Sequence, residues 1–182
     1  MSVHKIVISG TPGAGKTTAI AALSDKAPVL TEVRNTDTRM AKERTTVGLD
    51  FGQIDLGDGD TVHLFGTPGQ LRFEFMWRII ANDAMGLVIL IDNSRPDPLG
   101  DLNVYLDAYR DVLAEMTCVI GVGRLPDFPQ PGIDEFVGAL SARGLVVPVL
   151  AVDVRRREDV LFLVETLLIQ AEARANQDQA NV

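Results

Sequence analysis

At 182 residues and 46% hydrophobic content, the chain has the length of one ordinary domain and enough apolar side chain for a full core; with aromatics at 5%, that core is expected to be aliphatic. A formal net charge of −8 argues against nucleic acid as a main partner, because gripping a phosphate backbone needs clustered Lys and Arg, and against docking on anionic membranes by charge alone. The one cysteine, Cys118, lies in the apolar run Thr117 to Val122 and reads as a small core residue of a reducing compartment. No apolar stretch approaches the roughly 18 residues of a membrane helix. The start Met-Ser-Val-His-Lys has no signal-peptide pattern, Ser2 stands where myristoylation requires glycine, and residues 176–182 hold no prenylation cysteine. The expectation is a cytoplasmic protein without a lipid anchor of its own.

In chain order, Val3 to Ser9 is a short β-branched run closed by a Gly-rich turn, and reads as a buried strand. Lys16 to Leu23 has helix character and Pro28 ends it. Thr31 to Thr46 lacks a clean period and reads as a long loop. Val47 to Leu56 and Thr61 to Phe65 flank Gly57-Asp58-Gly59-Asp60, which predicts an antiparallel hairpin near a sheet edge. A turn over Gly66 to Gln70 leads to a helix over Phe73 to Ala81 that carries the single tryptophan, Trp77. Met85 to Ile91 is a continuous apolar run, as in a strand covered on both faces. Leu99 to Ala114 predicts one helix with Leu102, Leu106, Tyr109 and Leu113 on one face. Thr117 to Val122 is a strand, Arg124 to Gly132 a Pro-rich loop, and Ile133 to Ala142 a helix stopped by Gly144. Leu145 to Val152 is a last strand, placed at a sheet edge by Pro148, and Glu158 to about Ala175 a terminal helix packed through Leu161, Val164, Leu167 and Leu168.

Strand and helix alternate throughout, which predicts a three-layer α/β fold: a mostly parallel six-stranded sheet, one antiparallel hairpin strand, and helices on both faces. Residues 1–176 form the expected domain and 177–182 a short tail. In such sheets ligands bind beyond the carboxyl ends of the strands, where the Gly-rich turn lies.

That turn, Gly10-Thr11-Pro12-Gly13-Ala14-Gly15-Lys16-Thr17, matches the whole phosphate-binding pattern G-x-x-x-x-G-K-[ST] of P-loop proteins. Glycines let the backbone approach phosphate oxygens, and the following helix aims its positive end at them. Lys16 is expected on the β- and γ-phosphates and the Thr17 hydroxyl on Mg²⁺, with Thr18 completing the nucleotide contacts. Pro12 has no N–H, so one potential donor is missing.

Downstream stand Thr46-Val47-Gly48-Leu49-Asp50-Phe51 and Gly66-Thr67-Pro68-Gly69-Gln70-Leu71-Arg72-Phe73. With these segments, from Lys5 to about Ala175, the chain resembles the Ras superfamily of small GTPases, and most closely the MglA-like bacterial branch with its Pro-Gly-Gln second switch. The resemblance implies GTP and GDP as ligands with Mg²⁺. Thr46 would ligand the metal and contact the γ-phosphate, Gly69 would offer its N–H to the γ-phosphate, and Gln70 would orient the attacking water. It also implies a Roadblock-fold regulatory partner, unidentified downstream effectors, and a role in polarity, motility or surface organelles. MglA-like proteins carry an intrinsic arginine in the first switch, where this chain has Arg34, Arg39 and Arg44.

Three features depart from the family pattern. The Asp that opens the second switch and holds a metal-bound water is Gly66 here; Asp92, Asp37 and Asp50 are carboxylates that could compensate, but each is read first as a solvated or hairpin residue. The guanine motif Asn-Lys-x-Asp is replaced by Gly123-Arg124-Leu125-Pro126-Asp127, in which Arg124 could stack on the base and Asp127, one residue late, could accept from it. Asp153-Val154-Arg155 stands for the family's Ser-Ala-Lys, with the Val154 N–H facing the base. The expected function is a slowly hydrolysing GTP-binding switch. A pseudo-GTPase that only holds nucleotide, favoured by Gly66 and Pro12, and an ATP-using P-loop enzyme, favoured by the broken guanine motif, are the alternatives.

Overall fold

The computed structural model describes residues 2–30 and 49–180. Strand β1 (Val3–Gly10) runs into helix α1 (Lys16–Leu23), then the two-residue β2 (Val29–Leu30), β3 (Asp50–Gly57) and β4 (Asp60–Gly66). A single 3₁₀ turn (Leu71–Phe73) leads into α2 (Glu74–Ala81), followed by β5 (Gly86–Asp92), α3 (Pro98–Ala108), α4 (Arg110–Glu115) and β6 (Thr117–Gly123). The chain continues through α5 (Ile133–Ala142) and β7 (Val149–Val152) to α6 (Arg157–Ala180). The sheet order is β2-β3-β4-β1-β5-β6-β7. Strands β4, β1, β5, β6 and β7 are mutually parallel, and β3 is antiparallel to both its neighbours. These are the six expected strands, with β2 added as a short edge.

Alternation along the central strands divides the core into two layers. Val7, Leu87, Ile89, Ile91, Ile120 and Val122 pack with Trp77, Leu102, Tyr105, Leu106, Tyr109, Phe136 and Leu140, under α2, α3 and α5. Ile6, Ile8, Val88, Leu90 and Val119 pack on the opposite face with Ala19, Ile20, Leu23, Val160, Leu163, Val164 and Leu167, under α1 and α6. All seven residues of β5 are buried, which explains its unbroken apolar run. Cys118 is buried, and burial pushes its thiol up out of the ordinary range. At the hairpin, Asp58 and Gly59 have φ of 52° and 86°, the left-handed pair that suits a tight turn between twisted strands.

Four expectations need correction. The helix expected over 99–114 is two segments joined through Tyr109, whose φ of −99° and ψ of 10° leave helical values while its hydroxyl is tied to Ser9 on β1. The last strand begins at Val149, after Pro148, whose carbonyl accepts the Ile120 N–H at 2.9 Å, so the missing proline donor costs nothing. The terminal helix extends to Ala180, and Leu161 stands 37% exposed on it; Val160, Leu163, Val164 and Leu167 form the buried stripe. Residues 71–73 form a 3₁₀ turn, so the helix expected from Phe73 begins at Glu74. Among the described residues, no helix is long and apolar enough to cross a membrane.

Candidate functional site

The chain order of the sheet reverses at β1, which lies between β4 and β5, and the turn that leaves its carboxyl end is Gly10 to Thr17. Gly13 and Gly15 have φ of 82° and 86°, values that L side chains rarely adopt. Val154 packs onto the bare face of Gly15, where a Cβ would stand 2.5 Å from its Cγ2. Helix α1 starts at Gly15 with no side-chain cap and no acidic residue in its first turn, so its N-terminal N–H groups are left for an external acceptor. Lys16 lies back across the loop, and its Nζ donates to the carbonyls of Gly10 at 2.8 Å and Thr11 at 2.9 Å. Burial lowers the Lys16 ammonium to about 8, against an upward pull from Asp50. Thus a half-buried cation, a bare helix start and a glycine-lined turn share one end of the sheet.

Beside the cradle, the Thr17 hydroxyl donates to Asp50 Oδ2 at 2.5 Å. Asp50 opens β3 directly opposite Gly66 on β4. A Cβ on Gly66 would lie 3.0 Å from Asp50 Cβ and 2.9 Å from Ile20 Cδ1, so the space beside Gly66 is filled by its cross-strand neighbour. Asp50, opposite Gly66, thus brings a carboxylate to the Thr17 hydroxyl from the neighbouring strand, and is tied to α1 rather than only solvated. Among the described residues no group of three or more His, Cys, Asp or Glu could hold a metal ion alone. Magnesium fits the donors present, because it is commonly bound by one or two protein oxygens together with substrate phosphates and water. Thr46, Arg34, Arg39, Arg44 and Asp37 lie outside the described residues.

The turn that follows β4 folds over the Gly10–Thr17 loop. A Cβ on Gly69 would come within 2.7 Å of Lys16 Nζ and 3.0 Å of Pro12 N, so only glycine fits there. Gln70 follows it, exposed, at the start of the 3₁₀ turn.

On the other side of the cradle a cavity of about 520 Å³ is lined by Gly13, Ala14, Gly15, Thr18, Arg124, Asp127 and residues 151–156 among others. That volume is within the range of small-molecule sites. Arg124, at a φ of 65°, reaches the cradle: its Nε is 3.0 Å from Asp92 Oδ1 and its guanidinium donates to Gly13 O at 3.4 Å. Asp92 is 6% exposed and also accepts from the Ser94 N–H and hydroxyl, so its carboxylate is engaged at the Arg124 end of the site and is not solvated. Asp127 lines the cavity on a turn closed by its own N–H and that of Phe128, which both donate to Arg124 O. Asp153 and Arg155 pair at 2.6 Å, which holds the Asp153 carboxyl down at about 2. Sequence reasoning missed Asn93, whose amide donates to Phe128 O at 2.6 Å and Pro131 O at 3.0 Å and so fixes the loop behind Asp127. It also missed the roles of Ser9, Tyr105 and Tyr109, which lie within apolar patterns and show their partners only in three dimensions.

No protein-family model matches the chain. The G domain of the Thermotoga maritima FeoB iron transporter superposes with a TM-score of 0.65 at 18% identity, covering 93% of this chain and 99% of that one. The Trypanosoma brucei small GTPase Arl6, solved with the nucleotide analogue GppNp, gives 0.67 at 16% identity, covering 94% and 98%. An uncharacterised protein of Methanocaldococcus jannaschii is 31% identical over 91 residues, half of this chain. The Ras-related protein Rab-5B of Plasmodium falciparum is 28% identical over 137 residues, 73% of this chain. The matches span 52% and 61% of these two relatives' own lengths. The chain has the fold of the Ras-superfamily small GTPases.

Proposed function

We propose that this chain is a guanine-nucleotide switch that binds GTP and GDP with Mg²⁺ and hydrolyses GTP slowly. The observation that carries the reading is the convergence on one cradle of Lys16, the bare start of α1, the Thr17–Asp50 pair and the close approach of Gly69. A phosphate chain would be met by N–H groups and Lys16, and the base would enter the cavity between Arg124 and Val154. Thr17, Asp50 and Thr46 would hold Mg²⁺, which supplies charge neutralisation at the phosphates when bound. Gln70, exposed beside Gly69, would orient water, and Thr46 and Gly69 would be the two tethers that only a triphosphate satisfies. By its resemblance to the MglA-like branch, the switch would act in the cytoplasm with a Roadblock-fold regulator, in polarity or motility.

The ATP reading is favoured by one observation: Arg124 is held by Asp92, and no Asn-Lys pair faces the base. Competition of GTP and ATP against a fluorescent nucleotide, together with identification of the nucleotide released from freshly purified, denatured protein, separates the two. Recovery of guanine nucleotide with GTP preferred supports the proposal. Preference for ATP overturns its guanine half, and failure to bind either overturns all of it. Binding without any turnover would leave the pseudo-GTPase.

A further inference from the structure

Aromatic residues are scarce in this chain, yet its single tryptophan and both its tyrosines meet at one place. Trp77 stacks on Tyr105 with ring centroids 4.5 Å apart and planes 16° off parallel, and on Tyr109 at 6.1 Å and 18°. All three are almost wholly buried. Their polar tips converge on three consecutive residues of the second-switch turn. The Trp77 Nε1–H donates to Pro68 O at 2.6 Å, and the Tyr105 hydroxyl donates to Gly69 O at 3.2 Å. The Tyr109 hydroxyl donates to Ser9 Oγ at 2.9 Å, which shares a hydrogen bond with Thr67 Oγ1 at 2.8 Å. Burial pushes both tyrosine hydroxyls well above their ordinary range, so they remain donors. The backbone adds the Thr67 N–H to Ile8 O at 3.0 Å.

These bonds stop at Gly69. Thr67 and Pro68 are buried, Gly69 is half-buried against Lys16 and Pro12, and Gln70, Leu71 and Arg72 are exposed. With the Pro68 and Gly69 carbonyls anchored from behind, Pro68 lacking an N–H and the Thr67 N–H spent on Ile8 O, the turn presents the Gly69 N–H forward without having to order itself at the moment of binding. An aromatic stack is well suited to this task, because its rings have few rotatable bonds and its N–H and O–H tips are directional.

We propose that Trp77, Tyr105 and Tyr109 form a clamp that fixes residues 67–69 against the cradle in advance, so that the clamp residues are positioning residues for the terminal phosphate and motion between nucleotide states begins at Gln70. The proposal rests on the phosphate-switch reading above, but not on the identity of the base. A γ-phosphate contact by Gly69 exists only with a triphosphate, so the clamp acts on triphosphate affinity and leaves diphosphate affinity alone.

The test is Tyr105→Phe in the full chain, which keeps the ring and its stacking and removes only the hydroxyl on Gly69 O. Affinities for GDP and for a non-hydrolysable GTP analogue are measured by calorimetry with Mg²⁺ present, or for the adenine pair if wild type prefers it. The expected result is about a three- to tenfold loss for the triphosphate analogue, the worth of one intramolecular hydrogen bond, with diphosphate affinity unchanged. Trp77→Phe, which removes the indole donor to Pro68 O, is expected to act in the same direction, its fold checked by circular dichroism. A merely structural role would lower both affinities together. Equal loss for both nucleotides, or no loss in Tyr105→Phe, overturns the clamp while leaving the switch reading intact. Absence of any nucleotide binding by wild type overturns the switch reading and the clamp with it.

Discussion

Replacing Asp50 with Asn tests whether the carboxylate displaced from position 66 serves the metal from the neighbouring strand. The substitution keeps shape and an acceptor for the Thr17 hydroxyl, now 2.5 Å from Oδ2, and removes one negative charge. The fold loses little: a hydrogen bond to a charged group, worth about 1.5–3 kcal/mol, becomes a neutral one of about 0.5–1.5 kcal/mol. Metal affinity loses more. A unit charge and a dication roughly 4 Å apart attract by about 2 kcal/mol even at the dielectric of water, and Thr17 is exposed, so that value is the relevant one. Loss of a supporting carboxylate typically costs about 10–100-fold in metal affinity, or ~1.4–2.7 kcal/mol, the same scale. The assay is the Mg²⁺ dependence of fluorescent-GDP release, supported by the Mg²⁺-dependent shift in melting temperature. The midpoint is expected to rise about 10–100-fold in Asp50→Asn. Asp92→Asn, which removes the charge facing Arg124 and weakens the bonds from Ser94, should leave that midpoint where it is. An unchanged midpoint in Asp50→Asn would show that the Thr17–Asp50 bond merely ties β3 to α1, and the transposition argument fails.

Asp127→Ala should erode preference for GTP over ATP by about tenfold or more, the value of a charged hydrogen bond to the base; equal selectivity in competition titrations would move that role to Val154. Gln70→Leu should leave GTP binding nearly intact and suppress single-turnover hydrolysis, and fast hydrolysis indifferent to the change would mean that another group positions the water. Lys16, lowered to about 8 by burial, is protonated below that pH and gains affinity for its proton when phosphate arrives. Nucleotide binding should therefore take up a proton above pH 8, with affinity falling by up to about tenfold per pH unit. The nucleotide-free fold has the opposite dependence: unfolded Lys16 binds its proton up to about pH 10.4, so the folded state gains stability as pH rises from 8 toward that value. Melting curves with and without nucleotide from pH 7 to 10 should therefore converge, and parallel curves would refute the assignment.

The architecture was legible because the signals for its elements are local. Seven consecutive buried positions in β5 require an unbroken apolar run, and the left-handed pair Asp58-Gly59 requires the residue types found there. Gly144, at a φ of 71°, ends α5 with its N–H on Ser141 O for the same reason. The break at Tyr109 was not legible. Leu102, Leu106 and Leu113 continue the helical spacing through it, and the tie that accompanies the break runs to Ser9, 100 residues away. Leu161 shows a second limit, since an apolar residue near a buried stripe can sit at its exposed margin, as this one does at 37%.

At the site, a motif reads along one strand, whereas the sheet delivers groups from several. Gly10 to Thr17 could be read because all its parts are contiguous. Asp50 could be named only as one of three candidate carboxylates, because its meaning depends on the register that sets it opposite Gly66, and nothing in either segment alone states that pairing. Side-chain packing accompanies this pairing: a Cβ at 66 would press on Ile20 Cδ1 and on Asp50, so the space beside Gly66 is taken by the residue that carries the carboxylate on β3. In the proposed metal site the group required is a carboxylate oxygen within reach of the Thr17 hydroxyl, and Asp50 on β3 presents it. The same logic applies at the base end. Asp92 ends β5, next in the sheet to the β6 strand from which Arg124 follows, and only that adjacency turns an acidic residue in a turn into the partner of the arginine over the cavity. Departures from a linear motif in this fold are therefore best tested by asking which neighbouring strand brings the missing group to the same point.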